Sequence, residues 1–170
     1  STLFTPSLPK EIVDVLASGE IEMRNVTRVV LQFPTVWWDN SLIRWVSANK
    51  GTNDTASADH FSRWRNMNHE MAIPGSQILF SFLGDPQSSY YEALPLEDVQ
   101  VAVMKQLRRQ FPDIEVPDPI DIYISRHGYD RTRYGAFIVS RSKWTGDYER
   151  AFDEPVTDCN GVPRLRWAGD

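Results

Sequence analysis

Apolar residues change their spacing along this chain, and that change sets what it can fold into. From Met23 to Phe33 they alternate, with Val29, Leu31 and Phe33 on one side and Arg28, Val30 and Gln32 on the other. That is the period of a strand. Phe61–Met67 and Ile78–Leu83 are further strands, separated by the hairpin turn Ile73-Pro-Gly-Ser76. Ile120–Ser125, the stretch after Gly135 and Val162–Trp167 complete about six. Between them the period switches to that of a helix. Leu96, Val99, Val103, Leu107 and Phe111 form one stripe, with Glu97 and Asp98 in the first turn and Lys105, Arg108 and Arg109 towards the end, as the helix dipole favours. Pro9–Gly19 and Asp147–Phe152 are shorter helices, Gly19 closing the first. Strands interrupted by helices, without a repeat or a dividing linker, predict an α+β (mixed α/β) fold. Its sheet is mixed but mainly antiparallel, with helices at its flanks.

A chain of 170 residues, 41% hydrophobic with six Trp and eight Phe, has ample material for a core. Its net charge of −5 argues against nucleic acid as a partner. Cys159 is the sole cysteine, so no intramolecular disulfide can form. No apolar run approaches the ~20 residues that span a bilayer. His60, His69 and His127 lack metal-ligand spacing, so no metal site is expected. There is no Gly-x-Ser-x-Gly elbow, no P-loop and no Gly-x-Gly pair for a dinucleotide.

One stretch combines a strand with a chemically crowded turn: Ile122-Tyr-Ile-Ser-Arg-His-Gly-Tyr-Asp-Arg-Thr-Arg-Tyr-Gly135. Strand-terminal turns of this kind present side chains to ligands. The turn and several other segments together resemble the FAD-dependent amine oxidases, nearest the polyamine oxidase and flavin histone demethylase branch. Phe4-Thr-Pro-Ser-Leu-Pro9, Val26–Phe33 with Trp38-Asp39, Ile78–Asp85 and the Leu107-Arg-Arg-Gln-Phe-Pro112 helix end each resemble a family segment, in order. Ser125-Arg-His-Gly-Tyr-Asp130 and Gly135-Ala-Phe137 are similar to the family's Ser-Arg-Trp-x-x-Asp-Pro and Gly-Ser-Tyr. Asp147-Tyr-Glu-Arg150, Glu154-Pro-Val156 and Arg164-Leu-Arg-Trp-Ala-Gly-Asp170 complete the series, the last resembling Leu-Phe-Phe-Ala-Gly-Glu.

The resemblance implies a substrate-binding domain over 1–161 and, from 162–170, the start of a segment returning to an FAD-binding domain absent from this chain. It implies FAD held mainly by that missing half or a companion chain, and an amine, polyamine-like, as substrate. The implied reaction moves a hydride from the carbon beside the amine to the flavin; O₂ then reoxidises the flavin, releasing H₂O₂. Such a reaction draws its chemistry from the cofactor, and needs from the protein a neutral, positioned amine. Carried over residue by residue, Arg28 stands where the family has a Lys that holds a water near the flavin, and is the catalytic candidate. His127 stands for a Trp beside the flavin and Thr132 for a second Trp of the demethylase branch. Ala136 and Phe137 replace Ser-Tyr, and Asp170 replaces the Glu of Ala-Gly-Glu. His127, Thr132, Ala136 and Asp170 are thus cofactor-facing candidates, and Phe137 is an aromatic wall for the substrate. Because Arg28, His127 and the Ala136-Phe137 pair depart from the family pattern, the alternative is an inactive amine-oxidase-like binding module.

Overall fold

The computed structural model describes residues 4, 7–47, 60–140 and 146–167. Its described strands and helices follow the order α1 (Lys10–Ala17), β1 (Ile21–Arg24), β2 (Val26–Gln32), β3 (Arg44–Val46), β4 (Arg63–Asn66), β5 (Ile78–Gly84), α2 (Gln87–Glu92), α3 (Leu96–Gln110), β6 (Asp121–Ile124), β7 (Phe137–Ser140), α4 (Gly146–Asp153), β8 (Val156–Thr157) and β9 (Pro163–Leu165). The α+β class holds, and every described strand pair is antiparallel.

Contacts group the chain into two compact units. Residues 25–136 form one; 1–24 and 137–170 form the other. Because the two ends of the chain meet in a single unit, no linker composition marks the division. The expected Met23–Phe33 strand is split at Asn25 for the same reason: β1 pairs with β7 in the terminal unit, and β2 pairs with β5 and β6 in the central one. Asn25 is itself buried, its N–H donating to the Asp85 carboxylate at 3.2 Å.

The central unit is a five-stranded sheet in the order β3-β4-β5-β2-β6. Alternation sorts its side chains. Val29 and Leu31 of β2, Leu79 and Leu83 of β5, Trp64 of β4 and Ile124 of β6 point to one face and are buried. Val99, Val103 and Leu107 of α3, all fully buried, cover that face, joined by Tyr91 of α2. The aromatic corner after β2 closes the same core, with Phe33 and Trp38 buried and their rings 5.7 Å apart edge to face. In the terminal unit, Ile12 and Val15 are the buried residues of α1, which packs on α4. Gly19 takes a left-handed φ of 73° just past α1, a conformation that costs glycine nothing.

The sequence did not announce β3, two-residue β8 or six-residue α2. All three are too short for periodicity to register. Of the polar loop expected over Val46–His60, residues 48–59 lie outside the described residues.

Two outcomes test this packing. Replacing Leu107 by Ala should cost about 2–5 kcal/mol in denaturant unfolding, since it empties the centre of the helix–sheet interface. His60 shares a 3.0 Å hydrogen bond between its Nδ1 and the Tyr91 hydroxyl. Burial holds the imidazole below its usual range, while burial and then Tyr90 push the Tyr91 phenol up to about 12. The unfolded chain therefore binds a proton at His60 before the native state does. Stability should fall as pH drops through the ordinary histidine range and below, and His60→Gln should flatten that slope in unfolding measured between about pH 5 and 8.

Candidate functional site

The site is built where β2 and β6 meet. The backbone N–H of Arg28 donates to the Ser125 hydroxyl at 2.8 Å, and the Ser125 N–H returns a bond to the Arg28 carbonyl at 3.0 Å. The turn that follows β6 thus begins directly beside Arg28. Its next residue, Arg126, donates to the carbonyls of Glu92 and, at 2.9 Å, Leu94, satisfying acceptors at the end of α2.

Beneath the turn sits Glu92, a carboxylate only 1% exposed. Its Oε1 accepts the Thr27 hydroxyl at 2.5 Å and its Oε2 accepts the Gly128 N–H at 2.9 Å. Gly128 is where the turn presses closest to this buried layer. A Cβ there would lie 2.7 Å from Asn25 Nδ2 and 3.0 Å from Glu92 Oε2. Further on, Asp130 organises the tip. It accepts the Thr132 hydroxyl at 2.6 Å and the Thr132 N–H at 2.8 Å, bonds that hold its carboxyl below the usual carboxylate range. The loop closes with the Gly135 N–H bonded to the His127 carbonyl at 3.1 Å.

Arg28, His127, Thr132 and Ala136 all belong to the central unit. Arg28 lies on the sheet face turned away from α3, exposed, with its guanidinium carbon 5.5 Å from the Phe82 ring centroid. His127 is half-buried, with Nδ1 3.2 Å from the Arg133 guanidinium. The Thr132 hydroxyl is spent on Asp130. Phe137 opens β7 in the terminal unit, where it is 40% exposed and paired with Arg24. Asp170 lies outside the described residues.

Sequence reasoning missed Glu92, Ser125 and Arg126 as the residues that set the turn, and missed the company Arg28 keeps. Phe80, Phe82, Val30 and Tyr123 share its face through the β5-β2-β6 register, and Arg65 stands opposite Phe80. Arg44 stands opposite Arg65, and Arg63 opposite Val46. None of Arg28, Arg44, Arg63 and Arg65 makes an ion pair among the described residues. Also among them, no cluster of His, Cys, Asp or Glu could hold a metal, and no helix is long and apolar enough to cross a membrane.

The sequence profile of a family described as flavin containing amine oxidoreductase matches residues 1–170. The chain belongs to that family. Polyamine oxidase 7 of Oryza sativa subsp. japonica is 27% identical over 155 residues, an alignment spanning 87% of this chain and 30% of that protein. Lysine-specific histone demethylase 1 homolog 3 of Arabidopsis thaliana is 27% identical over 134 residues, 79% of this chain and 8% of that protein. The fold matches that of a cyclohexylamine oxidase from Brevibacterium oxydans IH-35A with a TM-score of 0.60 at 16% identity, across 94% of this chain and 32% of that one. A putrescine oxidase bound to putrescine matches with a TM-score of 0.57 at 20% identity, across 93% and 32%. The chain spans less than a third of the length of these relatives.

Close packing at Gly128 yields a mutational test. Gly128→Ala should destabilise the protein by about 1–3 kcal/mol, because the new methyl must displace Asn25 and Glu92. Gly84→Ala, at a strand end with no atom within 4 Å of the added Cβ, should stay within about 0.5 kcal/mol in the same unfolding assay.

Proposed function

We propose that this chain is the substrate-binding part of an FAD-dependent amine oxidase, which oxidises a C–N bond of a polyamine-like amine and releases H₂O₂. What supports the reading is a family match running from the first residue to the last, joined to a guanidinium, without an ion pair among the described residues, at the position that the resemblance matches to the family's lysine. In this reading residues 1–161 form the substrate-binding domain and 162–170 begin the segment that returns to the FAD-binding domain.

The donor chemistry of the face fits a flavin. Arg28 offers N–H groups, none of them taken by a carboxylate among the described residues, to the carbonyl and ring-nitrogen acceptors of such a ring. Arg28, His127, Thr132 and Ala136 would face the cofactor, and the resemblance adds Asp170, which lies outside the described residues, as a further cofactor-facing candidate. When bound, FAD supplies the acceptor for the hydride that leaves the carbon next to the amine.

The chain's own residues do the rest. A guanidinium cation near an amine disfavours the ammonium form. That holds the amine neutral, with its lone pair available to assist C–H cleavage. Phe137 supplies an aromatic wall for the substrate's carbon chain, and Phe82 braces the Arg28 guanidinium from below. The Asp130–Thr132 bonds shape the tip of the turn so that it keeps one conformation when the amine arrives.

A second reading is a non-catalytic binding module of the same family. Arg44 and Arg65 favour it, because two like charges directly opposite on adjacent strands repel unless an anionic partner lies across them. The test is amine-dependent peroxide production by the flavin-loaded full-length protein. Arg28→Ala should lower kcat/KM by about 10–100-fold, a loss of about 1.4–2.7 kcal/mol of transition-state stabilisation, while Arg28→Lys should recover most of it. Phe137→Ala should act mainly on KM. Unchanged turnover in both alanine variants would remove these residues from the site. A flavin that no amine reduces would favour the binding module.

A further inference from the structure

We infer that Glu92 is a positioning residue for the reaction: its single buried carboxylate fixes the turn that carries His127 against the strand that carries Arg28. The inference rests on the amine oxidase reading and adds to it a residue that touches neither substrate nor cofactor.

The argument begins with sequence adjacency. Thr27 is the neighbour of Arg28, and Gly128 is the neighbour of His127. Glu92 Oε1 takes the Thr27 hydroxyl and Oε2 takes the Gly128 N–H, at 2.5 and 2.9 Å. One rigid carboxyl group therefore spans both candidate flavin-facing elements, each one peptide unit from the side chain that matters. Because strand side chains alternate, Thr27 points into the core (0% exposed) when Arg28 points out. The link beneath the sheet thus sets the height and angle of what projects above it.

Burial makes this link stiff. With 1% exposure, Glu92 has no water to substitute for a lost partner, and the Gly128 N–H is one of the two donors that satisfy its carboxylate. Arg126 ties the same turn to the backbone carbonyls of Glu92 and Leu94, so the carboxylate is held at both its main-chain and side-chain ends. The turn lies hard against this layer at Gly128, where an added Cβ would stand 2.7 Å from Asn25 Nδ2 and 3.0 Å from Glu92 Oε2.

A role in positioning differs from a role in folding alone, and two variants separate them. In Glu92→Gln the amide oxygen can accept the Gly128 N–H while its NH₂ donates to the Thr27 hydroxyl, so both links survive. In Glu92→Ala neither does. In the flavin-loaded full-length protein, amine-driven flavin reduction is followed by stopped flow at saturating amine and expressed per bound flavin, so that loss of folded protein drops out. Glu92→Ala should lower this rate about 10–100-fold and Glu92→Gln should restore it to within about threefold, since displacements near 1 Å carry penalties of that size. In parallel, hydrogen exchange at the Gly128 amide and through residues 127–136 should accelerate at least about tenfold in Glu92→Ala, while Val103 and Leu107 in α3 keep their wild-type rates. Unchanged per-flavin rates in Glu92→Ala, or exchange that rises equally in α3, would overturn the inference and leave Glu92 a core residue only. If no amine reduces the wild-type flavin, the oxidase reading fails. The exchange experiment still decides whether Glu92 holds the turn.

Discussion

The central unit depends on the position of β2. It is hydrogen-bonded on both sides, to β5 and to β6, and its two faces do opposite work: Thr27, Val29 and Leu31 fill the core while Arg28, Val30 and Gln32 look away from it. A strand with one buried face has its register set by that face, because a slip of one residue exchanges every side chain. Burying Arg28 in place of Val29 would strand a guanidinium among Leu79, Val103 and Ile124, a cost of several kcal/mol. Hydrophobic burial thereby fixes the orientation of a charged side chain that itself contributes little to stability. The site inherits its geometry from the core.

The fold was legible where a pattern ran long enough to repeat. Leu96–Phe111 declared itself through five apolar residues in one stripe, and the helix runs Leu96–Gln110 with Phe111 as its cap. Ile78–Leu83 and Ile120–Ser125 were visible as strands for a similar reason. What could not be read was whatever depends on residues far apart in sequence. Asn25 reads as one more strand position, yet it is the point where the chain leaves one sheet and enters another. Glu92, in Tyr-Tyr-Glu-Ala-Leu, looks like an ordinary polar helix residue. Its meaning comes from Thr27, 65 residues before it, and Gly128, 36 after it. No local rule reaches that distance.

The candidate site divides along the same line. Residue types in Ser125–Gly135 made the turn a candidate, and the resemblance supplied Arg28, His127, Thr132 and Ala136 as positions. The sequence was silent on how they are held. Ser125 had been part of a motif, and its hydroxyl turns out to bind the backbone of the very residue named as catalytic candidate. The arginine strip went unseen because Arg44, Arg63 and Arg65 are separated from Arg28 in sequence and meet it on one face only through strand order.

How the turn is held bears on the departures from the family pattern. Its anchors are the Gly128 N–H, the Gly135 N–H to His127 carbonyl bond, the Ser125 hydroxyl and the Arg126 guanidinium. None of them uses the side chains at 127, 132 or 136 as a support for the core. Thr132 bonds only within the exposed tip, and the His127 ring contacts Arg133 on the surface. The path of the turn is thus set by groups other than the side chains at 127, 132 and 136. A backbone held independently of these three side chains lets them differ from the pattern the resemblance implies without the turn losing the bonds that hold it.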